Sequence, residues 1–180
     1  GRVVANCHKF PATDFERFRL SPEDIEQVYT DLLSRLHSRY PDMRVLFTVS
    51  PIRHWKDGAH ANQLSKSTLL LAIDRLQQLF PDHVFYFPSY EIVMDELRDY
   101  RFYTEDMLHI SPQGIEYIWE KFQSLYMTSA TEAWMKRIDK INKTLLHRPT
   151  DPDSSAYQEL MKKTAQERER IERELSISFS

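Results

Sequence analysis

The sequence has a single cysteine, only three glycines and no long apolar run. The lone Cys7 cannot form a disulfide within the chain, which excludes the small disulfide-stabilised scaffolds. No apolar stretch approaches the roughly 20 residues that a helix needs to cross a bilayer, and no segment resembles a signal peptide. Neither charge sign dominates, because 24 basic and 27 acidic residues are interleaved to a net charge of -3. This balance argues against nucleic acid or a membrane as partner and favours small or neutral substrates over polyanions.

Apolar residues are abundant enough to build one sizeable core. Of the 180 residues, 41% are hydrophobic and 12% are aromatic. A chain of this length buries about 70% of the surface that it exposes when unfolded. One globular domain with appendages is therefore expected.

The first long helix is predicted from its start and stop signals. At Ser21-Pro22-Glu23-Asp24, a serine N-cap, a proline at the first helical position and first-turn acids coincide. Tyr40-Pro41 ends the helix, because a residue before proline disfavours the helical region. The apolar residues between these signals keep helical spacing: Ile25, Val28, Leu32 and Leu36.

Short apolar runs predict strands at residues 3–5, 44–49 and 84–87. The unbroken run at 45–49 predicts a strand covered on both faces, as in parallel sheets. A loop over residues 50–63 and a second helix should separate the last two strands. This helix should end at Pro81 and carry Leu69, Ile73, Leu76 and Phe80.

The alternation of strands and helices predicts the α/β class, here a partial three-layer α/β/α arrangement with a parallel sheet. Doubly wound sheets usually have about 5 or 6 strands, so further strands and a longer N-terminus are expected before Gly1. An incomplete sheet exposes an apolar edge, which predicts either self-association into a homo-oligomer or a need for the N-terminal portion. We divide the chain into an α/β portion at residues 1–127 and a helical extension at residues 128–180.

A further helix is expected after Ser111-Pro112, a second serine and proline start signal. The inward face of this helix is assigned to Ile115, Ile118, Trp119 and Phe122. Beyond about Met127, long polar helices follow without a strand pattern, interrupted by a Pro- and Asp-containing linker at 148–155.

Chemistry is expected outside the carboxyl ends of the strands, where open parallel sheets bind ligands. Asp106 and His109 lie two residues apart just before the helix start, within reach of each other in one tight turn. The carboxylate would fix the tautomer of the imidazole and stabilise its protonated form. Taken alone, Asp-x-x-His is a weak motif, equally consistent with an ordinary loop histidine beside a turn carboxylate.

The surrounding residues add specificity to this motif. Asp106-Met107-Leu108-His109-Ile110-Ser111-Pro112-Gln113-Gly114 resembles the closing block of the SGNH (GDSL-like) hydrolases, which have a flavodoxin-like fold. Several blocks in order also resemble the GSCFA-domain family of bacteria. These blocks are Val3-Val4-Ala5-Asn6-Cys7-His8-Lys9, Thr48-Val49-Ser50-Pro51-Ile52-Arg53-His54, Asp57-Gly58, Phe87-Pro88-Ser89-Tyr90-Glu91 and Leu97-Arg98-Asp99-Tyr100-Arg101-Phe102-Tyr103.

The resemblance implies a cytoplasmic serine esterase or acyl-transferring enzyme acting on a small-molecule ester without a cofactor. His109 would be general base and then general acid, Asp106 would orient it, and Asn6 would be an oxyanion donor. The family's serine lies in a Gly-Ser-Cys-Phe segment, which these 180 residues lack. The chain would therefore be the C-terminal part of the enzyme, inactive alone and dependent on an upstream N-terminal part.

Other residues leave alternatives open. Arg53 and His54 are further substrate-binding candidates, and Trp55 is a candidate substrate wall. Asn6 and His54 are expected to line the same depression as Asp106 and His109. Arg53 and Arg98 would either clamp an anionic substrate group or pair with Asp57, Asp95 or Asp99 as structural ion pairs. Seven histidines lack diagnostic metal spacing, so no metal is expected. The alternative to an enzyme is a non-catalytic α/β interaction or assembly module.

Overall fold

The structure, a computed structural model, describes residue 4 and residues 9–177. The strand predicted at residues 3–5 therefore lies, apart from Val4, outside the described residues, as does Asn6. The chain divides into two compact units with a boundary between Ile118 and Trp119. No helix in the described part of the chain is long and apolar enough to cross a membrane.

The first helix, α1, spans Pro22–Arg39 and begins at the predicted cap. The Asp24 amide donates to Ser21 Oγ at 3.1 Å, and the Ser21 amide donates to Asp24 Oδ2 at 2.9 Å. This reciprocal pair satisfies two amides that a helix start leaves without partners.

The buried face of α1 includes only part of the apolar row that keeps helical spacing. Val28 and Leu32 are exposed, whereas Leu33 is fully buried and Tyr29 packs beside it. Tyr29 and Leu33 are four residues apart, so they lie on one face of the helix. Val28 and Leu32 are exposed because the neighbouring row of side chains, which includes a large aromatic ring, faces the core.

Two parallel strands form the sheet. β1 spans Val45–Thr48, β2 spans Val84–Phe87, and their register pairs Val45 with Val84 and Thr48 with Phe87. The predicted parallel pairing is confirmed. The fold class of the described residues is thus mixed α/β with a two-stranded parallel sheet.

Only one face of β1 is well covered by the described residues. Val45 and Phe47 pack with Leu33 of α1 and Leu76, whereas the side chain between them, Leu46, is 36% exposed. Successive side chains of a strand point to opposite faces, so the helices cover one face of the sheet. The expectation of a strand covered on both faces is not met within the described residues.

The second helix, α2, spans Gly58–Leu79 and begins before residue 63, where the loop was expected to end. Its first turns are fixed by Asn62, a buried side chain whose Oδ1 accepts the His54 amide at 2.9 Å. This bond ties the loop after β1 to the helix, so the loop is shorter than predicted.

Ser89 and Thr48 tie the carboxyl ends of the two strands together. Thr48 Oγ1 donates to the Phe87 carbonyl at 2.8 Å, and the buried Ser89 hydroxyl donates to the Val49 carbonyl at 2.9 Å. Ser89 begins the short helix α3, Ser89–Glu91, which continues as a π-helical turn, Ile92–Glu96. The sheet therefore has a well-defined edge from which the loops of the candidate site depart.

The fourth helix, α4, spans Pro112–Tyr126 and starts with the predicted serine cap, since the Gly114 amide donates to Ser111 Oγ at 3.3 Å. Its predicted inward face is only partly correct. Ile118 and Phe122 are half-buried, but Ile115 and Trp119 are 57% and 39% exposed. Gly114 is buried because the helix approaches the preceding loop most closely at this position.

Gly114→Ala is expected to destabilise the fold by about 1 to 2 kcal/mol. A Cβ at this position would lie 2.5 Å from Ile110 Cγ2 and 3.2 Å from the Phe102 carbonyl oxygen. Overpacking of this kind costs about 1 to 3 kcal/mol, and the better helix propensity of alanine returns up to about 1 kcal/mol. Urea denaturation measures the change, with the exposed Gln113→Ala as the matched control. A Gly114→Ala variant as stable as Gln113→Ala would show that the contact is not tight.

The second unit contains two long helices, α5 at Ser129–Leu146 and α6 at Ser155–Leu175. Ile141 of α5 and Ile171 of α6 are buried between polar outer faces. Arg137 lies on the ring of Trp134, and its guanidinium pairs with Glu167 of α6 at 2.7 Å. An apolar stripe reinforced by ion pairs therefore holds this helix pair together.

Candidate active site

A closed loop between β2 and α4 holds the predicted Asp-x-x-His motif. Tyr103 and Ile110 form an antiparallel bridge, and the Thr104 amide donates to the His109 carbonyl at 2.9 Å. Inside this closure the Met107 amide donates to the Thr104 carbonyl at 2.9 Å. These bonds bring the two ends of the motif together without help from a helix or strand.

Met107, within the motif, has a φ of 60°, in the left-handed region. A side chain other than glycine or asparagine rarely takes this conformation, which costs roughly 1 to 2 kcal/mol. Strain of this kind is commonly found at functional sites, where the surrounding structure enforces it. Here it allows the backbone to double back so that two amides point at the Asp106 carboxylate.

One oxygen of Asp106 accepts three hydrogen bonds. Oδ1 accepts from Thr104 Oγ1 at 2.7 Å, from the Leu108 amide at 2.8 Å and from the His109 amide at 3.0 Å. Three donors to one oxygen leave the carboxylate little freedom to rotate. The other oxygen, Oδ2, is thereby directed at the imidazole of His109.

Asp106 Oδ2 lies 2.5 Å from His109 Nδ1. An ionised carboxylate only accepts hydrogen bonds, so Nδ1 carries the proton and Nε2 of the neutral ring presents a lone pair. The His109 side chain is 60% exposed, and Nε2 makes no hydrogen bond within the described residues. The geometry predicted for the pair is therefore present, and it leaves Nε2 able to accept a proton.

Hydrogen bonding holds the pKa of Asp106 well below its usual range. The His109 amide contributes most, followed by the Thr104 hydroxyl, the His109 ring and the Leu108 amide. All of these donors favour the charged form of the carboxyl group. Asp106 therefore remains an anion at neutral pH.

Thr104→Val is expected to raise the pKa of Asp106, because it removes the second-largest contribution without changing the shape of the side chain. The native pKa is depressed, so ionised Asp106 stabilises the fold above its unfolded pKa of about 4, and this contribution disappears as pH falls through the native value. Carboxyl 13C NMR titration of the wild type and of Thr104→Val measures the change. An unchanged or lower pKa in the variant would contradict the role of Thr104.

A cavity of about 440 Å³ adjoins this loop. Arg53 lines it from the loop that follows β1, and Met94 lines it from the π-helical turn that follows β2. Met107 lines it from the motif itself. The remaining lining residues are Trp55, Val93, Arg98, Asp99, Tyr100 and Tyr103. The cavity thus lies where parallel sheets bind ligands, and its size suits a small molecule.

The structure brings some of the predicted site residues together and separates others. Arg53 and Trp55 share the cavity with Met107, but His54 lines a second cavity of about 670 Å³ beside Arg17. The expectation that His54 belongs to the same depression as the Asp106 loop is therefore not met. Asn6 lies outside the described residues, so its role stays a prediction.

Arg98 forms a structural ion pair. Its guanidinium lies 2.9 Å from Asp95 Oδ1, and its Nε donates to the Met94 carbonyl at 3.1 Å. The sequence left open whether Arg98 binds an anionic substrate group or forms a structural ion pair. The structure shows the ion pair. Asp57 pairs with Arg17 at 3.1 Å, which leaves it engaged away from Arg53.

Two features were not anticipated from the sequence, a hydrogen bond in the site and a buried lysine that lines neither cavity. Thr104 donates to the catalytic carboxylate candidate, and its position two residues before Asp106 is the signal that indicates such a turn. Lys66 on α2 is 5% exposed, and burial lowers its pKa. No sequence signal distinguishes this lysine from the exposed ones. No group of three or more His, Cys, Asp or Glu side chains in the described part of the chain is placed to hold a metal ion.

Comparison with protein-family models identifies the family of this chain. The model of the GSCFA family matches residues 1–122, and the model of the C-terminal domain of GSCFA domain proteins matches residues 138–180. The chain belongs to the GSCFA family. In this GSCFA protein the Asp106 loop and the cavity both fall within the first matched region. Searches of curated proteins and of solved structures find no significant match.

Proposed function

We propose that this GSCFA chain supplies the histidine and aspartate of a Ser-His-Asp triad in an SGNH-type ester hydrolase or acyl transferase. The observation that carries the proposal is the bond from His109 Nδ1 to Asp106 Oδ2 at 2.5 Å, beside an exposed Nε2. Ordinary loop histidines are rarely oriented by a carboxylate that is itself held by three donors.

In the proposed reaction, Nε2 of His109 takes the proton of a serine hydroxyl as the serine oxygen attacks the ester carbonyl. Asp106 stabilises the imidazolium that forms and keeps its ring oriented. Nε2 then gives the proton to the leaving alcohol, which produces an acyl-serine. Water, or an acceptor alcohol in a transferase, attacks the acyl-serine with the same histidine as base.

The serine is proposed to lie in the Gly-Ser-Cys-Phe segment of the family, which these 180 residues do not contain. Two buried serines of this chain have structural roles. Ser89 ties the two strands together, and Ser111 caps α4. We further propose that the two strands belong to the larger central sheet of a flavodoxin-like three-layer fold in the intact enzyme. Additional strands would cover the exposed side of Leu46.

The experiment that tests the function is hydrolysis of a series of p-nitrophenyl esters with graded acyl lengths. The protein that carries the family's serine segment together with this chain should hydrolyse at least one ester above background. This chain alone should hydrolyse none, because a base and its orienting carboxylate have nothing to acylate. Hydrolysis by the chain alone would place the nucleophile elsewhere, and no hydrolysis by either protein would favour an interaction or assembly module.

A further inference from the structure

A half-buried arginine, Arg53, lines the cavity beside the Asp106 loop without an ion-pair partner among the described residues. The undescribed residues contain no Asp or Glu side chain. A guanidinium removed from part of its water without an opposite charge is costly, and an anionic ligand would offset that cost.

The three carboxylates that the sequence suggested as ion-pair partners of Arg53 have other contacts. Asp57 pairs with Arg17 at 3.1 Å, and Asp95 pairs with Arg98 at 2.9 Å. Asp99 lines the cavity too, but its Oδ1 accepts the backbone amide of the residue two positions later at 2.9 Å. Arg53 is thus the cation of the cavity that has no assigned structural role.

Besides Arg53, Arg98 and Asp99, the side chains that line the cavity are aromatic or apolar. Trp55 is 49% exposed and Met107 is 42% exposed, so both present surface to a ligand. Val93 and Met94 line the cavity as well. One guanidinium without an ion-pair partner, beside aromatic and apolar side chains in a cavity of about 440 Å³, is the pattern of a site that orients a ligand by one charged group.

We propose that this cavity binds the substrate and that Arg53 recognises a carboxylate or phosphate group on it. The apolar part of the ligand would lie against Trp55 and Met107. That the ligand is a substrate rests on the proposed function, whereas binding of an anionic ligand in this cavity does not depend on it. The substrate class is then an ester that carries an anionic oxygen group, placed away from the reacting carbonyl.

Binding to the full 180-residue chain tests the proposal without catalysis. Monobenzyl succinate carries one carboxylate, and benzyl methyl succinate is its neutral counterpart. The assigned Trp55 indole N–H signal in 15N-HSQC titrations reports on occupancy of this cavity. We expect the anionic ligand to bind about 10-fold more tightly than the neutral one, as for a charge-assisted hydrogen bond in a partly dry site. Inorganic phosphate added as competitor distinguishes a site that also accepts phosphate from one limited to carboxylate.

Three variants localise the preference. Arg53→Gln should bind both succinates equally, and Arg53→Lys, which keeps the charge but loses the fork, should retain part of the preference. The exposed Arg35→Gln removes the same charge from α1 and should behave as the wild type.

Two results would overturn the proposal: equal binding of the two succinates to the wild type, or an undiminished preference in a folded Arg53→Gln variant. Either result would leave the roles of Asp106 and His109 standing, because those roles are tested by hydrolysis. Conversely, a preference that depends on Arg53 would survive even if the intact protein hydrolysed no ester.

Discussion

His109→Ala is expected to lower kcat for ester hydrolysis by on the order of 10³ or more in the protein that carries both this chain and the family's serine segment. Without the imidazole, no group accepts the serine proton during attack or returns it to the leaving alcohol. The free energy of unfolding should change little, because the side chain is 60% exposed and its Nε2 has no partner within the described residues.

The matched control for this variant is His147→Ala, which removes an exposed imidazole from the end of α5. It should retain wild-type kcat. Steady-state kinetics and thermal melts on the same preparations separate loss of catalysis from loss of fold. Wild-type turnover in His109→Ala would dismiss the assigned role of this residue.

Asp106→Asn is expected to lower kcat by a similar factor, on the order of 10³ or more, through the tautomer of the histidine. The amide oxygen of Asn can still accept from Thr104 and from the two backbone amides that hold Asp106 Oδ1. The amide nitrogen, however, would donate to Nδ1 of His109. The proton of the neutral ring then moves to Nε2, which no longer accepts the serine proton.

The control for this substitution is Glu105→Gln, which neutralises the adjacent exposed carboxylate. It should leave both kcat and the tautomer unchanged. Long-range 1H–15N NMR of His109 should show protonated Nδ1 in the wild type and protonated Nε2 in Asp106→Asn. Full activity in a variant with protonated Nε2 would contradict the proposed mechanism.

Local signals in the sequence predicted the elements that depend on short-range physics. The serine and proline starts of α1 and α4, the stop at Tyr40 and the parallel pairing of the two strands all appear as expected. Each of these follows from backbone geometry within a few residues or from the spacing of a crossover connection.

Packing choices were less predictable. Val28 and Leu32 fit the helical period of α1, but the row with Tyr29 and Leu33 is buried instead. A hydrophobic pattern wider than one helix face does not say which row meets the sheet. Ile115 of α4 is exposed for the same reason, since the helix contacts the preceding loop at its neighbour Gly114.

The candidate site shows the same division. The contact between Asp106 and His109 follows from their spacing, and the cavity follows from the rule that ligands bind beyond the carboxyl ends of strands. The position of His54 could not be predicted from spacing or from this rule. Its backbone amide is tied to Asn62, a bond across eight residues that no local pattern indicates, and its side chain lines the other cavity.

The most direct test of the central claim, that His109 activates a serine, is labelling with a fluorophosphonate probe, which requires no knowledge of the substrate. The proposal predicts stoichiometric labelling of one serine in the protein that carries the family's serine segment, at a rate that falls by on the order of 10³ in His109→Ala. This chain alone should remain unlabelled. Equal labelling rates in the wild type and in His109→Ala, or stoichiometric labelling of this chain by itself, would contradict the claim.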